Sequence, residues 1–113
     1  MGNKRGSRAD LLPGTLEILV LKTLSIEPMH GYGIAQHIQM LSADVLTIEE
    51  GSLYPALQRM LVKRWVSAEW KISANNRRAR FYTLTAAGKK QLGVEESRIA
   101  QMFAAIMRVM RTT

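Results

Sequence analysis

The chain has 113 residues, of which 47% are hydrophobic, enough for one small domain and too few for an enzyme with a separate cofactor module. It contains no cysteine, which excludes disulfides, thiolate metal ligands and a cysteine nucleophile. The formal net charge is +7, and it is unevenly spread: residues 1–58 carry four basic and six acidic side chains, whereas residues 59–113 carry twelve and three. A basic segment of this kind attracts polyanions such as nucleic acid or an anionic membrane, although composition alone also allows a merely solvated basic face.

No stretch of the sequence indicates secretion or a membrane span. The longest apolar run, Met102 to Met107, is too short to cross a bilayer, and the N-terminus lacks the apolar core of a signal peptide. We therefore expect a cytoplasmic protein with no membrane partner. Residues 1–10 show no apolar periodicity, and we predict that they form a flexible basic arm.

A first helix is predicted to open at Pro13-Gly14-Thr15, with Thr15 or Gly14 as its cap, and to be closed by Glu27-Pro28. Its apolar residues, which run as far as Ile26, are spread too broadly for a single stripe. We therefore expect this helix to contact a second subunit as well as its own core. The residues that we assign to that contact are Leu16 and Leu19.

Two further short helices are predicted from apolar spacing. The second follows the segment HGYG at residues 30–33 and turns Ile34, Ile38 and Leu41 inward. The third begins near Gly51-Ser52, with Pro55 in its first turn, where the missing N–H of proline costs nothing. Its inner stripe consists of Leu53, Leu57, Met60 and Leu61.

The pattern then changes to that of a β-hairpin. Residues 65–72 partly alternate, residues 74–78 read as a turn, and residues 79–84 are rich in aromatic and β-branched side chains. Trp65 and Tyr82 are expected to pack the hairpin on the helices. The turn is basic, because Arg77, Arg78 and Arg80 lie at or beside it.

A last helix of about twenty-five residues is predicted to follow Thr85 as its N-cap. Apolar residues recur along it with the heptad spacing of a coiled coil, interrupted at Gly93 and Glu95. A stripe of this kind beyond a small core needs a partner, so we predict that the helix dimerises. The residues of the predicted seam are Leu92, Ile99, Met102, Phe103, Ile106 and Val109.

Three helices followed by a hairpin is the element order of a winged helix-turn-helix, an α+β fold. We predict a basic arm at 1–10, a winged-helix DNA-binding domain at 11–85 and a dimerisation helix at 86–113. In this fold a helix enters the major groove and the hairpin lies along the backbone or in the minor groove. The candidate contacts on the solvent face of the third helix are Ser52, Tyr54, Gln58, Arg59 and Lys63, and those on the hairpin are Arg77, Arg78 and Arg80.

Three segments in this order resemble the PadR family of bacterial transcriptional regulators: HGYGI at 30–34, GSLYPAL at 51–57 and RARFYTLTAAG at 78–88. The resemblance covers about residues 11–90. It implies a homodimeric winged-helix protein, usually a repressor, which binds an inverted repeat in double-stranded DNA and, in short members, dimerises through one C-terminal helix. It also implies that Tyr32, Ser52, Tyr54 and Pro55 lie at the DNA and that Arg78 and Arg80 form the basic wing.

The resemblance leaves a small-molecule effector of unidentified class as an open alternative. Some short family members bind flat aromatic drugs between tryptophans on their C-terminal helices. This chain has no tryptophan after Trp70, and its last helix offers Met102, Phe103, Met107 and Met110 instead. A methionine stripe at helical spacing is more often part of a core than a ligand site.

Catalytic chemistry finds little support in the sequence. His30 and His37 are the only histidines, and no carboxylate stands at metal-ligand spacing from them; Ser52 lacks the Gly-x-Ser-x-Gly setting of a nucleophile. We expect no enzyme activity, no metal and no cofactor. The remaining alternative is a winged-helix module for protein interaction without sequence-specific DNA binding, which would not need arginines clustered at the hairpin turn.

Overall fold

The computed structural model of the chain describes residues 14–112, so the predicted arm at 1–10 lies outside the described residues. The elements in chain order are α1 (Thr15–Leu24), β1 (Met29–His30), α2 (Gly31–Leu41), α3 (Glu50–Val62), β2 (Val66–Ile72), β3 (Arg78–Leu84) and α4 (Ala86–Met110). Three helices, a hairpin and a long final helix make up the α+β winged-helix architecture that the sequence predicts.

The sheet has three antiparallel strands in the order β1-β3-β2. The hairpin register runs from Val66 opposite Leu84 to Ile72 opposite Arg78. Asn76 in the turn has a φ of 62°, a left-handed conformation that asparagine tolerates. The sequence did not predict β1, because two residues are too few to show an alternating pattern.

One core holds the helices and the sheet together. Its fully buried side chains come from the inner faces of α1, α2 and α3, and Val66 and Tyr82 join them from the sheet. Burying side chains of this size stabilises the fold by roughly 1.5–3 kcal/mol each. The largest of the fully buried residues are Leu21, Ile34, Leu53, Leu57, Met60 and Val20.

Two helix ends differ from the sequence prediction. α1 ends at Leu24 rather than at Glu27-Pro28, because the Ser25 hydroxyl donates to the Lys22 carbonyl at 2.6 Å and the chain turns there. Ile26 is consequently 57% exposed instead of buried. Leu41, predicted on the inner stripe of α2, is 68% exposed, because it is the last residue of the helix and the buried stripe ends at Ile38.

Pro55 does not lie in the first turn of α3. The helix begins at Glu50, after the N-cap residue Glu49, so Pro55 stands inside it. Proline lacks the N–H that would bond the carbonyl of Gly51 four residues earlier. α3 therefore carries one helical hydrogen bond fewer than the prediction implied.

α4 is attached to the domain along its N-terminal half, where Lys22 of α1 lies 3.5 Å from Glu96. As predicted, Thr85 caps it: the Thr85 Oγ1 accepts from the Gly88 N–H at 3.0 Å and donates to the Arg64 carbonyl at 2.6 Å. Gly88 allows the close approach, because a Cβ there would lie 2.0 Å from the carbonyl oxygen of Trp65. Leu92 is buried in the core, and the helix beyond Ile99 is exposed along its length.

Candidate nucleic-acid interface

An open cleft of about 640 Å³ lies between the start of α2 and α3 on one side and the β2–β3 hairpin on the other. We call it the wing cleft. It brings together five of the ten residues predicted at DNA, namely Tyr32, Tyr54, Arg77, Arg78 and Arg80. None of the residues that line it in the described part of the chain is acidic.

The helical wall of the cleft is aromatic. The His30 Nδ1 accepts from the Gly33 N–H at 3.0 Å and so caps α2. The Tyr32 ring stacks beside His30 with centroids 6.5 Å apart, and the Tyr32 hydroxyl accepts from Gln36 Nε2 at 3.0 Å. The cap and the stacking together fix where Tyr32 leaves the helix.

Tyr54 forms the part of this wall that belongs to α3. Its pKa is raised above the ordinary 10.0, first by burial and then by the charges of Glu50 and Tyr82. A tyrosine hydroxyl is protonated at neutral pH even at its ordinary pKa, and the raised pKa of Tyr54 extends the protonated range to higher pH. A protonated phenol is able to donate a hydrogen bond to an acceptor such as a phosphate oxygen.

The hairpin wall carries the positive charge. Val66, Tyr82, Trp70 and Arg80 share one face of the hairpin, with Trp70 directly opposite Arg80. The guanidinium of Arg78 lies 5.0 Å from the centroid of the Trp70 ring, and that of Arg80 lies 5.9 Å from the Tyr82 ring. The hairpin face that contributes Val66 and Tyr82 to the core therefore carries two arginines in cation–π contact farther from the core.

The other predicted DNA contacts on α3 lie outside the wing cleft. Ser52, Pro55 and Gln58 are exposed, and Gln58 lies one turn after Tyr54 on the same side of the helix. Arg59 is held by Glu17 of α1, since its Nη2 and Nε lie 2.8 and 3.3 Å from one Glu17 carboxylate oxygen. Lys63 is the C-cap of α3, and its ammonium lies 4.6 Å from the Trp65 ring.

Seven of the residues that line the cleft were not among the predicted contacts, and the two of them with large side chains that shape the arrangement of the predicted contacts are His30 and Trp70. Trp70 could have been found by counting in twos from Val66 along the same strand, because alternate residues of a strand share a face. The part played by His30 depends on its hydrogen bond to Gly33, which no sequence spacing reveals.

The residues of the predicted dimer contact fall into two groups. Leu16 and Leu92 are buried in the chain's own core, and Leu19 is half-buried against it. Ile99 is half-buried, whereas the later seam residues are 45–70% exposed: Met102, Phe103, Ile106 and Val109. The apolar surface that remains open on α4 thus begins past Leu92.

None of the helices within residues 14–112 combines the length and the apolar character that crossing a bilayer requires. This finding concerns the described helices only.

Comparison with known proteins identifies the family. The model of the transcriptional regulator PadR-like family matches residues 20–94. An uncharacterised protein of Lysinibacillus sphaericus is 27% identical over 85 residues, which is 75% of this chain and 78% of that one.

Solved structures show the same similarity. A PadR family transcription regulator from Clostridium difficile is 25% identical, with a TM-score of 0.73 over 86% of this chain and 99% of its own. A PadR-like transcriptional regulator from Bacillus cereus superposes with a TM-score of 0.79 at 23% identity, over 93% of this chain and 100% of its own, which supports the fold. PadR proteins are regulators of transcription, not enzymes, and this chain belongs to the PadR-like family of transcriptional regulators.

Proposed function

We propose that this DNA-binding regulator recognises a specific operator sequence, that it binds as a homodimer to an inverted repeat, and that it acts as a repressor in the cytoplasm. The observation that carries the proposal is the wing cleft, where an aromatic wall from α2 and α3 faces three arginines of the hairpin. Such a surface suits a duplex, because the arginines attract phosphates while the helix beside them meets the bases.

In the proposed complex α3 enters the major groove. A helix with its side chains is about 10–12 Å wide, and the groove is about 12 Å wide. Gln58 is the residue proposed to read a base, because its amide pairs with adenine through two hydrogen bonds. Ser52, Tyr54 and Pro55 precede it on the same helix and meet the groove or its flanking phosphates.

The remaining predicted contacts are proposed to position the protein on the DNA and not to read bases. Tyr32 approaches the backbone from the start of α2, and Arg77, Arg78 and Arg80 bind phosphates or the minor groove beside α3. Lys63 extends the positive charge at the far end of α3. Arg59 stays a proposed phosphate contact, because its side chain is 55% exposed and an exposed ion pair such as the one with Glu17 is easily exchanged for another.

The homodimer is supported by the exposed apolar side chains of α4. Four of them, Met102, Phe103, Ile106 and Val109, recur on one side of a helix that the domain itself covers only as far as Ile99. A two-fold dimer presents two identical DNA-binding surfaces related by its symmetry axis, so its operator is an inverted repeat. We propose residues 11–85 as the DNA-binding domain and 86–113 as the dimerisation helix.

Repression is the proposed sign of regulation because occupying an operator is by itself enough to exclude polymerase. An effector of unidentified class stays outside this proposal, since nothing in the α4 surface singles out a ligand from a partner helix.

Footprinting on the DNA upstream of the protein's own gene tests the proposal. We expect two protected half-sites in inverted orientation, separated by one helical turn of about 10–10.5 bp or a multiple of it. Protection that is uniform along the fragment, or none at all, would contradict sequence-specific binding and favour the interaction-module alternative.

A further inference from the structure

Trp70 occupies an unusual place on the hairpin. Residues that share its face nearer the domain, Val66 and Tyr82, are buried, whereas Trp70 keeps 58% of its surface exposed. Two arginine side chains nonetheless lie beside the Trp70 ring. Arg80 is its cross-strand partner, and the Arg78 guanidinium carbon lies over its ring, 5.0 Å from the ring centroid.

A cation–π contact with an aromatic ring constrains an arginine without occupying its hydrogen-bond donors. The π-electrons of the ring attract the cation, and the five N–H groups of the guanidinium remain available to other acceptors. An arginine held this way loses less conformational freedom when it binds a phosphate through two parallel hydrogen bonds. The Trp70 ring lies where it restricts the Arg78 side chain in this way.

The opposite face of the same hairpin offers a comparison. There the Lys71 ammonium lies 5.4 Å from the Phe81 ring, a similar cation–π arrangement. Glu69 lies 3.4 Å from Lys71 and neutralises it, and neither Lys71 nor Phe81 lines the wing cleft. Of the two faces of the described hairpin, only the face with Trp70 combines arginines in cation–π contact with a cleft that no acidic residue lines.

We propose that Trp70 is a positioning residue for DNA binding: it holds the Arg78 guanidinium at the wing cleft so that Arg78 binds a backbone phosphate. Trp70 acts through Arg78 and need not touch the DNA. The inference rests on the proposed function, because it assumes that the wing cleft receives a duplex.

A double-mutant cycle on a duplex of scrambled sequence tests this positioning role. Phosphate contacts do not depend on sequence, so fluorescence anisotropy with a labelled scrambled duplex measures them without knowledge of the operator. We expect Trp70→Leu, which removes the aromatic face, to weaken binding about two- to five-fold, the range typical of an exposed cation–π pair. Trp70→Phe, which keeps an aromatic face, should bind nearly as the wild type does.

The decisive comparison combines Trp70→Leu with Arg78→Gln. If Trp70 acts through Arg78, the double variant should bind no more weakly than Arg78→Gln alone. Trp70→Thr, which also favours a strand, repeats the test independently of how leucine fits there. Lys71→Gln removes one charge from the opposite face and should bind within error of the wild type.

The possible failures are distinguishable. Wild-type binding of Trp70→Leu and Trp70→Thr, or effects of Trp70→Leu and Arg78→Gln that simply add, would overturn the positioning role while leaving the proposed function intact. A wild-type protein that binds no duplex at low salt would overturn the proposed function itself.

Discussion

The ring of Tyr54 in α3 lies directly on the backbone of Gly31, the first residue of α2. A Cβ on Gly31 would come within 2.6 Å of the Tyr54 hydroxyl and 2.9 Å of the ring carbons beside it. Glycine at position 31 therefore lets the tyrosine fold back against the start of α2. This contact places Tyr54 in the wing cleft together with Tyr32.

Gly31→Ala should change DNA binding more than stability. The methyl group forces the Tyr54 ring to move, and the ring is free to swing outward because it is already 44% exposed. We expect the free energy of unfolding to stay within about 1 kcal/mol of the wild type, since the atoms in the way belong to the end of a side chain and not to the backbone. Affinity for DNA should fall as Tyr54 leaves the cleft.

Gly93→Ala is the matched control for that substitution. A Cβ at Gly93, within α4, meets nothing within 4 Å, so this variant should gain roughly 0.5–1 kcal/mol of stability and bind DNA unchanged. Urea denaturation and anisotropy titrations on both variants check the pair. Wild-type DNA affinity in Gly31→Ala would show that the position of Tyr54 does not matter for binding.

The raised pKa of Tyr54 makes stability depend on pH in alkaline solution. Burial disfavours the phenolate in the folded chain, so the unfolded chain ionises at this residue first as the pH rises past 10.0. The contribution of Tyr54 to the free energy of unfolding is therefore complete below pH 10.0. It is lost as the pH rises through the pKa that Tyr54 has in the folded chain. Urea midpoints should fall above about pH 10 more steeply for the wild type than for Tyr54→Phe. Parallel curves for the two proteins would contradict this.

Replacing Arg77, Arg78 and Arg80 together by alanine should weaken binding to every DNA sequence. The slope of log affinity against log salt concentration should flatten by about 0.9 for each phosphate contact that is lost. Lys71→Ala, on the face outside the wing cleft, should leave the slope as it is. An unchanged slope in the triple variant would mean that the hairpin arginines make no phosphate contact.

Dimerisation is best tested on the exposed half of α4. Cutting the chain after Ala87 would also remove Leu92 from the core and confuse loss of the dimer with loss of the fold. Ile106→Glu places a charge in the predicted seam and should yield a folded monomer. Val94→Glu, on a 54% exposed α4 residue off the seam, should remain dimeric. Light scattering distinguishes the two results, and a dimeric Ile106→Glu protein would refute the seam.

The features that were predicted most accurately from the sequence are those that depend on local patterns. The inward face of α3, the hairpin and the Thr85 cap follow from residue spacing and side-chain type. The cleft required contacts between distant segments: the pairing of β1 with β3, and the Tyr54 ring on Gly31. No local pattern encodes such contacts.

Arg59 illustrates the same limit within a helix whose inward face was correctly predicted. Its position on the outer side of α3 follows from the helical period, but its partner Glu17 is 42 residues away in the sequence. The period predicts which way a side chain leaves a helix. It does not predict whether another helix supplies a counter-charge there.

The proposal that α3 reads DNA sequence is tested most directly by a competition titration of Gln58→Ala. Wild-type and variant protein are titrated against the footprinted site and a scrambled duplex at one salt concentration, with Gln101→Ala on α4 as the control for loss of an exposed amide. We predict that Gln58→Ala loses about 1–3 kcal/mol of discrimination between the two duplexes while its affinity for scrambled DNA is unchanged, because no charge is removed. Equal weakening on both duplexes, or no change on either, would contradict the claim.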